Sequence, residues 1–266
     1  MKKNKKLGQI FVNSKILKKE IKLVDINNKI VLEIGAGDGR LTELLSEKAK
    51  KVIGVEKDKK FCDLLKQKFQ KKKNVLILCG DFLKFPPREV DIIIGNVPYY
   101  ISSDILLHLR KFKFNTAVLM FQKEFVLKLI ETERSTKYGF LSFISQMYFN
   151  INTKFIVDKS NFNPKPKVDS IVIILEKKEI NIDFKTEEII RYLFNHKKKT
   201  LKNALLDSCY DIKISKKCIE EQIQEIENRD KRVFKLTNEE ILSISKKVQE
   251  WKKKCSLIGE KKKENC

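Results

Sequence analysis

Histidine is almost missing from this chain: His108 and His196 are the two copies in 266 residues. A reaction built on a histidine base, or a metal held by imidazoles, is thereby disfavoured. His108 sits in an apolar helical pattern and reads as packed or surface-capping, whereas His196 lies in a basic cluster where it could touch phosphate. The six cysteines, Cys62, Cys79, Cys209, Cys218, Cys255 and Cys266, make no C-x-x-C pair. Such scatter argues against a zinc site and against a disulfide framework, and it fits a reducing cytosol. We therefore expect no metal. No apolar run approaches the roughly 18 residues of a membrane span, and no amphipathic or lipidated anchor stands out. The basic start, Met1-Lys2-Lys3-Asn4-Lys5-Lys6, leads into no apolar stretch of the secretory kind. The expectation is a cytoplasmic protein with no membrane partner. Internal repeats are absent, and nothing points to an obligate dimer, so a monomer is expected.

Negative charge is also scarce. Against 57 Lys+Arg stand 35 Asp+Glu, a net charge of +22. A field of that sign favours a polyanion, and nucleic acid is the commonest polyanion for a soluble protein. A lysine-rich surface shaped by solubility or genome composition gives the same totals, so charge alone does not choose. Hydrophobic residues at 42% and aromatics at 9% supply a core, and the length suits one large domain plus a small one.

Residues 29–175 alternate short apolar runs with helical stretches. The runs 31–34, 52–55, 75–78, 92–94, 117–121 and 171–175 read as buried strands, and 41–49, 59–69, 105–112 and 124–130 have helical spacing of apolar positions. That alternation predicts an α/β fold, a parallel sheet with helices on both faces, whose ligands bind beyond the carboxyl ends of the strands. Lys177-Lys178-Glu179 reads as a charged linker, and from Thr186 the pattern is helical, with Thr237-Asn238-Glu239-Glu240 marking a helix start. We expect a first domain over 1–180, a small all-helical one over 181–252, and a basic, flexible tail over 253–266.

The motifs fall at predicted strand ends. Val31-Leu32-Glu33-Ile34-Gly35-Ala36-Gly37-Asp38-Gly39 is a strand entering a glycine-rich loop, where the backbone can approach a ligand closely. Its G-x-G-x-G spacing departs from the dinucleotide G-x-G-x-x-G, and no phosphate-loop lysine pattern is present, which disfavours NAD, FAD and ATP. Glu56 ends the second strand, about 20 residues past the loop, where a carboxylate can accept both hydroxyls of a ribose. Asp81, in Cys79-Gly80-Asp81-Phe82, follows the third strand and can accept from an adenine amine, with Phe82 flanking the ring. Taken singly, Glu56 could pair with Lys57 or Lys59, and Asp81 could cap the next turn. Together they favour an adenosine-bearing cofactor without phosphates.

Ile94-Gly95-Asn96-Val97-Pro98-Tyr99-Tyr100 is the most telling stretch. The residue before a proline is held extended, so Val97 offers its carbonyl outward beside the amide oxygen of Asn96. Two such acceptors hold both hydrogens of an exocyclic amine and aim its lone pair at a methyl donor, a catalysis of positioning and electrostatics that needs no strong base. Tyr99 can stack on the base.

These motifs make the chain resemble the KsgA-type ribosomal RNA adenine dimethyltransferases, particularly their archaeal and eukaryotic branch, over nearly its whole length. The resemblance is carried by Leu7-Gly8-Gln9-Ile10-Phe11-Val12, the 32–39 loop, Glu56, Gly80-Asp81, the Asn96 turn, Met120-Phe121-Gln122-Lys123-Glu124, Phe162-Asn163-Pro164-Lys165-Pro166-Lys167-Val168-Asp169-Ser170, and Lys197-Lys198-Lys199-Thr200-Leu201-Lys202-Asn203-Ala204-Leu205. It implies a Rossmann-like class I methyltransferase sheet with a small helical carboxyl-terminal domain. It further implies S-adenosyl-L-methionine as donor and two successive methylations of adjacent adenosines in a hairpin near the 3′ end of small-subunit rRNA. The partner implied is the immature small ribosomal subunit. By position, Gln9, Ile10, Val12, Gly35, Gly37, Glu56, Lys57, Asp81, Phe82 and Asn96 would surround the cofactor. Asn96, Val97, Pro98 and Tyr99 would hold the target amine, and Phe162 would stack on the other face of the flipped base. Lys197, Lys198, Lys199 and Lys202 would meet phosphates. The family usually carries Asn or His where Ile10 stands, which leaves backbone contact there, and Leu where Val97 stands. A related class acting on large-subunit rRNA, and a ribosome-assembly checkpoint acting mainly by binding, are the alternatives.

Overall fold

A computed structural model describes residues 11–261, the side chains of 256–261 excepted. In chain order its elements are β1 (Phe11–Val12), α1 (Ser14–Ile21), β2 (Ile30–Ile34), α2 (Arg40–Ser46), β3 (Lys51–Glu56), α3 (Lys59–Phe69), β4 (Val75–Cys79), β5 (Ile92–Asn96), α4 (Ser102–Leu109), β6 (Thr116–Gln122), α5 (Lys123–Leu129), α6 (Phe140–Tyr148), β7 (Phe149–Val157), β8 (Phe162–Asn163), β9 (Ser170–Lys177), α7 (Phe184–Asn195), α8 (Leu201–Asp207), α9 (Cys209–Ile212), α10 (Lys216–Gln222) and α11 (Asn238–Lys261). They divide into two compact units. One runs up to Leu127 and resumes at Tyr148–Lys178; the other takes Lys128–Met147 and the chain from Glu179 onward. The sequence boundary near 180 therefore left out the stretch before Tyr148 that groups with the second unit.

Among the described residues of the first unit, seven strands form one sheet in the order β4-β3-β2-β5-β6-β9-β7. β2, β3, β4, β5 and β6 are parallel, and their near-continuous apolar runs are those of strands covered on both faces. Val31, Ile92, Ile94, Val118, Met120 and Val172 pack with Leu17, Leu41 and Leu45 on one face. On the other, Ala36 and Ile77 meet Cys62, Leu65 and Phe69 of α3, a helix begun by Asp58, whose carboxylate accepts from the Lys60 and Phe61 N–H groups. The six predicted strands are present.

The sheet corrects the all-parallel expectation at its far edge. β9 runs antiparallel to β6, and β7 antiparallel to β9. β7 escaped sequence reading because it is an edge strand, Phe-Asn-Ile-Asn-Thr-Lys-Phe-Ile-Val, largely uncovered along its middle. α1 also went unread: in Ser-Lys-Ile-Leu-Lys-Lys-Glu-Ile, lysines interrupt the apolar stripe, and Asn13 starts the helix by accepting from Lys15 N–H at 2.9 Å.

The disulfide expectation fails too. Cys62 is bonded to Cys79 and Cys218 to Cys255, with Cα–Cα separations of 5.6 and 6.5 Å. Packing, not spacing, makes these pairs: α3 lies back against β4, and α10 against α11. Cys209 is a free thiol. The cysteine argument for a reducing compartment accordingly falls away.

In the second unit, Thr200 caps α8 and Asp183 caps α7. The buried Tyr138 hydroxyl donates to Asn238 Oδ1 at 2.6 Å at the start of α11. That helix buries Ile241, Val248 and Trp251 and continues past residue 252 to Lys261.

Candidate active site

Four parallel strands deliver their carboxyl ends to one cleft. It is lined by the loop after β2, Glu56 and Lys57 after β3, Gly80, Asp81 and Phe82 after β4, and Asn96 to Ile101 after β5. The short β1–β8 pair adds a wall: Phe11 lies opposite Asn163 and Val12 opposite Phe162, which places both Phe11 and Phe162 on the cleft.

In the glycine loop the three glycines have different reasons to be there. Gly35 has φ +75°, and a side chain built on it would meet no atom within 4 Å, so its α-carbon borders free space. Gly39, φ +77°, answers to packing: a Cβ there would stand 2.6 Å from Leu65 Cδ2. Glu56 fixes the loop from below, its Oε2 accepting from Gly37 N–H and its Oε1 from Asp58 N–H, both at 2.8 Å. Each carboxylate oxygen retains a second lone pair for a ligand hydroxyl.

Lys57 pairs not with Glu56 but with Asp81, Nζ to Oδ2 2.7 Å. Asp81 also caps the turn Phe82–Lys84, accepting from Leu83 N–H at 3.1 Å. Burial pushes the Asp81 carboxyl up, but the Lys57 and Leu83 hydrogen bonds outweigh it and hold it below the ordinary carboxylate range. The Phe82 ring borders the cleft while stacked on Phe112 and edge-on to His108, centroids 5.3 Å in each case. His108 is thus a packed residue, its Nε2 bonded to the Phe85 carbonyl at 3.1 Å, and burial pulls its pKa down.

Asn96 closes β5 opposite Met120. Its Oδ1 is buried and has no hydrogen-bond partner among the described residues. A buried amide oxygen left without a donor is costly, and in a cleft it marks a place where a ligand N–H belongs. Val97 is buried behind it, and Pro98 leads into the turn Tyr99–Ile101, whose Tyr99 hydroxyl bonds Ser170 Oγ at 2.8 Å and so fixes the ring beside the cleft. Two further acids are buried in the first unit. Glu33 lines the cleft, fully buried, with Thr42 donating to it at 2.5 Å; burial above all pushes its pKa up to about 8. Glu20 of α1 is 2% exposed.

A family sequence model described as ribosomal RNA adenine dimethylase matches residues 1–250. The chain belongs to that family. Among similar proteins are two named probable ribosomal RNA small subunit methyltransferase A. The one from Thermococcus sibiricus is 34% identical over 97% of this chain and 95% of its own length. The one from Methanococcus maripaludis strain S2 is 37% identical over 92% and 96%. A dimethyladenosine transferase from Plasmodium falciparum superposes with a TM-score of 0.78 at 28% identity, covering 91% of this chain and 98% of its own. The 23S rRNA methyltransferase ErmE, at 23% identity and TM-score 0.63, shares the fold. The chain is therefore a methyltransferase enzyme with the class I sheet and a helical carboxyl-terminal region.

Against this family background the sequence-predicted residues sort clearly. Val12, Gly35, Gly37, Glu56, Lys57, Asp81, Phe82, Asn96, Val97, Pro98, Tyr99 and Phe162 share the cleft; Gln9 and Ile10 lie outside the described residues. In the second unit the four lysines diverge. Lys197 donates to the Tyr138 carbonyl at 2.7 Å, and burial with neighbouring Lys198 and Lys128 lowers its pKa. Lys199 pairs with Asp207, which His196 also approaches at 3.8 Å. Lys198 is exposed and Lys202 half-buried. Sequence reading missed Phe11, Leu17, Arg40, Ile105 and Met120 as lining residues. It also missed the buried acids, although Glu33 inside an apolar strand was a visible signal.

Proposed function

We propose that this enzyme transfers methyl groups to the exocyclic N6 amines of two adjacent adenosines in a hairpin near the 3′ end of small-subunit rRNA, giving N6,N6-dimethyladenosine. The single observation that carries the reading is the Asn96 Oδ1, without a partner among the described residues, in a cleft that also holds Glu56, Asp81 and Phe162. The cofactor proposed is S-adenosyl-L-methionine, which supplies the methyl group when bound. Its fit rests on chemistry present in the cleft: Gly35 leaves room for a close approach, Glu56 accepts from ribose hydroxyls, and Asp81 with Phe82 suits an adenine. Val12, Gly37 and Lys57 complete that side.

At the amine, Asn96 Oδ1 and the Val97 carbonyl accept the two N–H bonds and leave the nitrogen lone pair pointing across the cleft. Tyr99 and Phe162 sandwich the extruded base. The proton released on transfer needs no strong base, because the alkylated amine is a strong acid and passes it to water. The second unit serves as the docking domain, with Lys198 and the cluster around it meeting phosphates on an immature small subunit. We place the enzyme in the cytoplasm, as a monomer engaged in ribosome biogenesis.

Single-turnover transfer of labelled methyl to unmethylated small subunits, alongside cofactor binding, tests the roles. Asn96→Ala is expected to lower the chemical rate by about 100-fold or more while cofactor affinity holds. Glu56→Ala is expected to weaken cofactor binding first. Equal loss of cofactor affinity in both, with no effect on rate, overturns the assignment.

A further inference from the structure

Arg40, the first residue of α2, ties the walls of the cleft together and has no part in the reaction as described so far. Its Nε donates to Asp38 Oδ2 at 2.7 Å in the loop after β2. Its Nη1 donates to the Val12 carbonyl at 2.9 Å on β1 and to Ser14 Oγ at 3.3 Å. The β1 wall is thereby held against the glycine loop, where the Phe11 ring stands 3.4 Å from the place a Gly37 Cβ would take. A guanidinium carries five N–H donors, and the three on Nε and Nη1 are engaged in these contacts. The pair on Nη2 has no partner among the described residues, and the side chain is 36% exposed where it lines the cleft.

Charge indicates what those donors are for. Among the described residues lining the cleft, the acids are Glu33, Asp38, Glu56 and Asp81, and the cations are Arg40 and Lys57. Lys57 is already engaged by Asp81 at 2.7 Å. An anionic group brought in among these acids without a cation of its own would lose its water and meet repulsion. The proposed cofactor brings one such group, the carboxylate of its methionine end. The order of the strands places it: Asp81 and Phe82 after β4 suit the adenine, and Glu56 after β3 suits the ribose. The next strand across the sheet is β2, so the amino-acid end falls on the loop that Arg40 closes. Asn96, at the end of β5, follows on the far side of β2, as transfer from a sulfur between ribose and amino acid requires.

We propose that Arg40 binds the methionine carboxylate of S-adenosyl-L-methionine through Nη2, while its Nε and Nη1 hold the glycine loop and β1 around it. This deepens the proposed function and rests on its choice of cofactor. Hydrogen bonds between guanidinium and carboxylate are charge-assisted and directional, so they select for the carboxylate as well as attract it. The contacts to Asp38, Val12 and Ser14 fix the guanidinium beside the cleft before any ligand arrives, which spares the ordering of a long side chain on binding.

Calorimetric titration of the full-length protein with S-adenosyl-L-methionine and with its decarboxylated analogue tests this without any methyl transfer. The wild type should bind the carboxylate-bearing cofactor at least about tenfold more tightly, the worth of a charge-assisted hydrogen bond. In Arg40→Gln that preference should shrink to within about threefold, through loss of affinity for the cofactor. The ratio is the decisive quantity, since loosening the β1 wall alone weakens both ligands alike and leaves it unchanged. Arg40→Met repeats the test where the Gln variant folds poorly, and Arg40→Lys, which restores a cation, should recover part of the preference. A wild type that binds the two ligands equally, or a preference that survives in Arg40→Gln or Arg40→Met, overturns the assignment and leaves the choice of cofactor standing. A wild type that binds neither ligand removes both.

Discussion

At the scale of single residues, two buried acids of the first unit make a prediction separate from catalysis. Glu20 and Glu33 have pKa values near 8 in the folded chain against an ordinary 4.5. Between those values the folded protein holds protons that the unfolded chain releases, so stability falls as pH rises through the window. Asp81, Asp183 and Asp207, held low, titrate below it. Denaturant unfolding of Glu20→Gln is expected to show little gain over wild type near pH 4.5 and a growing gain toward pH 8. A constant difference across that range would mean that Glu20 is ionised in the folded state. The residue scale is also where the sequence was most legible: an Asn before an x-Pro-aromatic turn, a Glu and an Asp after apolar runs. It was least legible for Glu20, because a lysine-rich eight-residue helix gives no hint of which polar side chain points inward.

At the scale of elements, the loop after β2 depends on α3 as much as on any ligand. Gly39→Ala places a methyl group against Leu65 and Phe69 at a left-handed backbone position. We expect a loss of about 1–3 kcal/mol, read by urea unfolding. Gly35→Ala, with open space around it, should cost less in stability and more in cofactor affinity. The reverse ranking would contradict the division of labour between the two glycines. Parallel strands were readable as runs of apolar residues because both faces are covered. β7 and the β1–β8 pair were not, since their registers come from tertiary pairing, and that pairing is what carries Phe162 and Phe11 to the cleft. The two disulfides teach the same lesson. Alkylation of the native protein should label Cys209, with Cys62, Cys79, Cys218 and Cys255 becoming reactive only after reduction. Ready labelling of those four without reductant would show the thiols to be free.

At the scale of the whole molecule, the excess of positive charge is the property that most affects encounter with substrate. A net +22 acts on a polyanion through released counterions, so affinity for small-subunit rRNA should fall at least about tenfold between roughly 50 and 200 mM salt. A flat response would detach the charge from binding. Neutralising Lys198 should weaken binding modestly, whereas altering Lys197 should chiefly loosen its contact with the Tyr138 carbonyl. No helix among the described residues is long and apolar enough to cross a membrane, and none of their acidic, histidine or cysteine side chains gather as a metal site. The most direct measurement is nucleoside mass spectrometry after the purified protein has met labelled S-adenosyl-L-methionine and unmethylated small or large ribosomal subunits. N6,N6-dimethyladenosine should appear in the small-subunit rRNA alone; label confined to the large subunit, or absent from RNA while cofactor binds, would contradict the substrate proposed for Asn96.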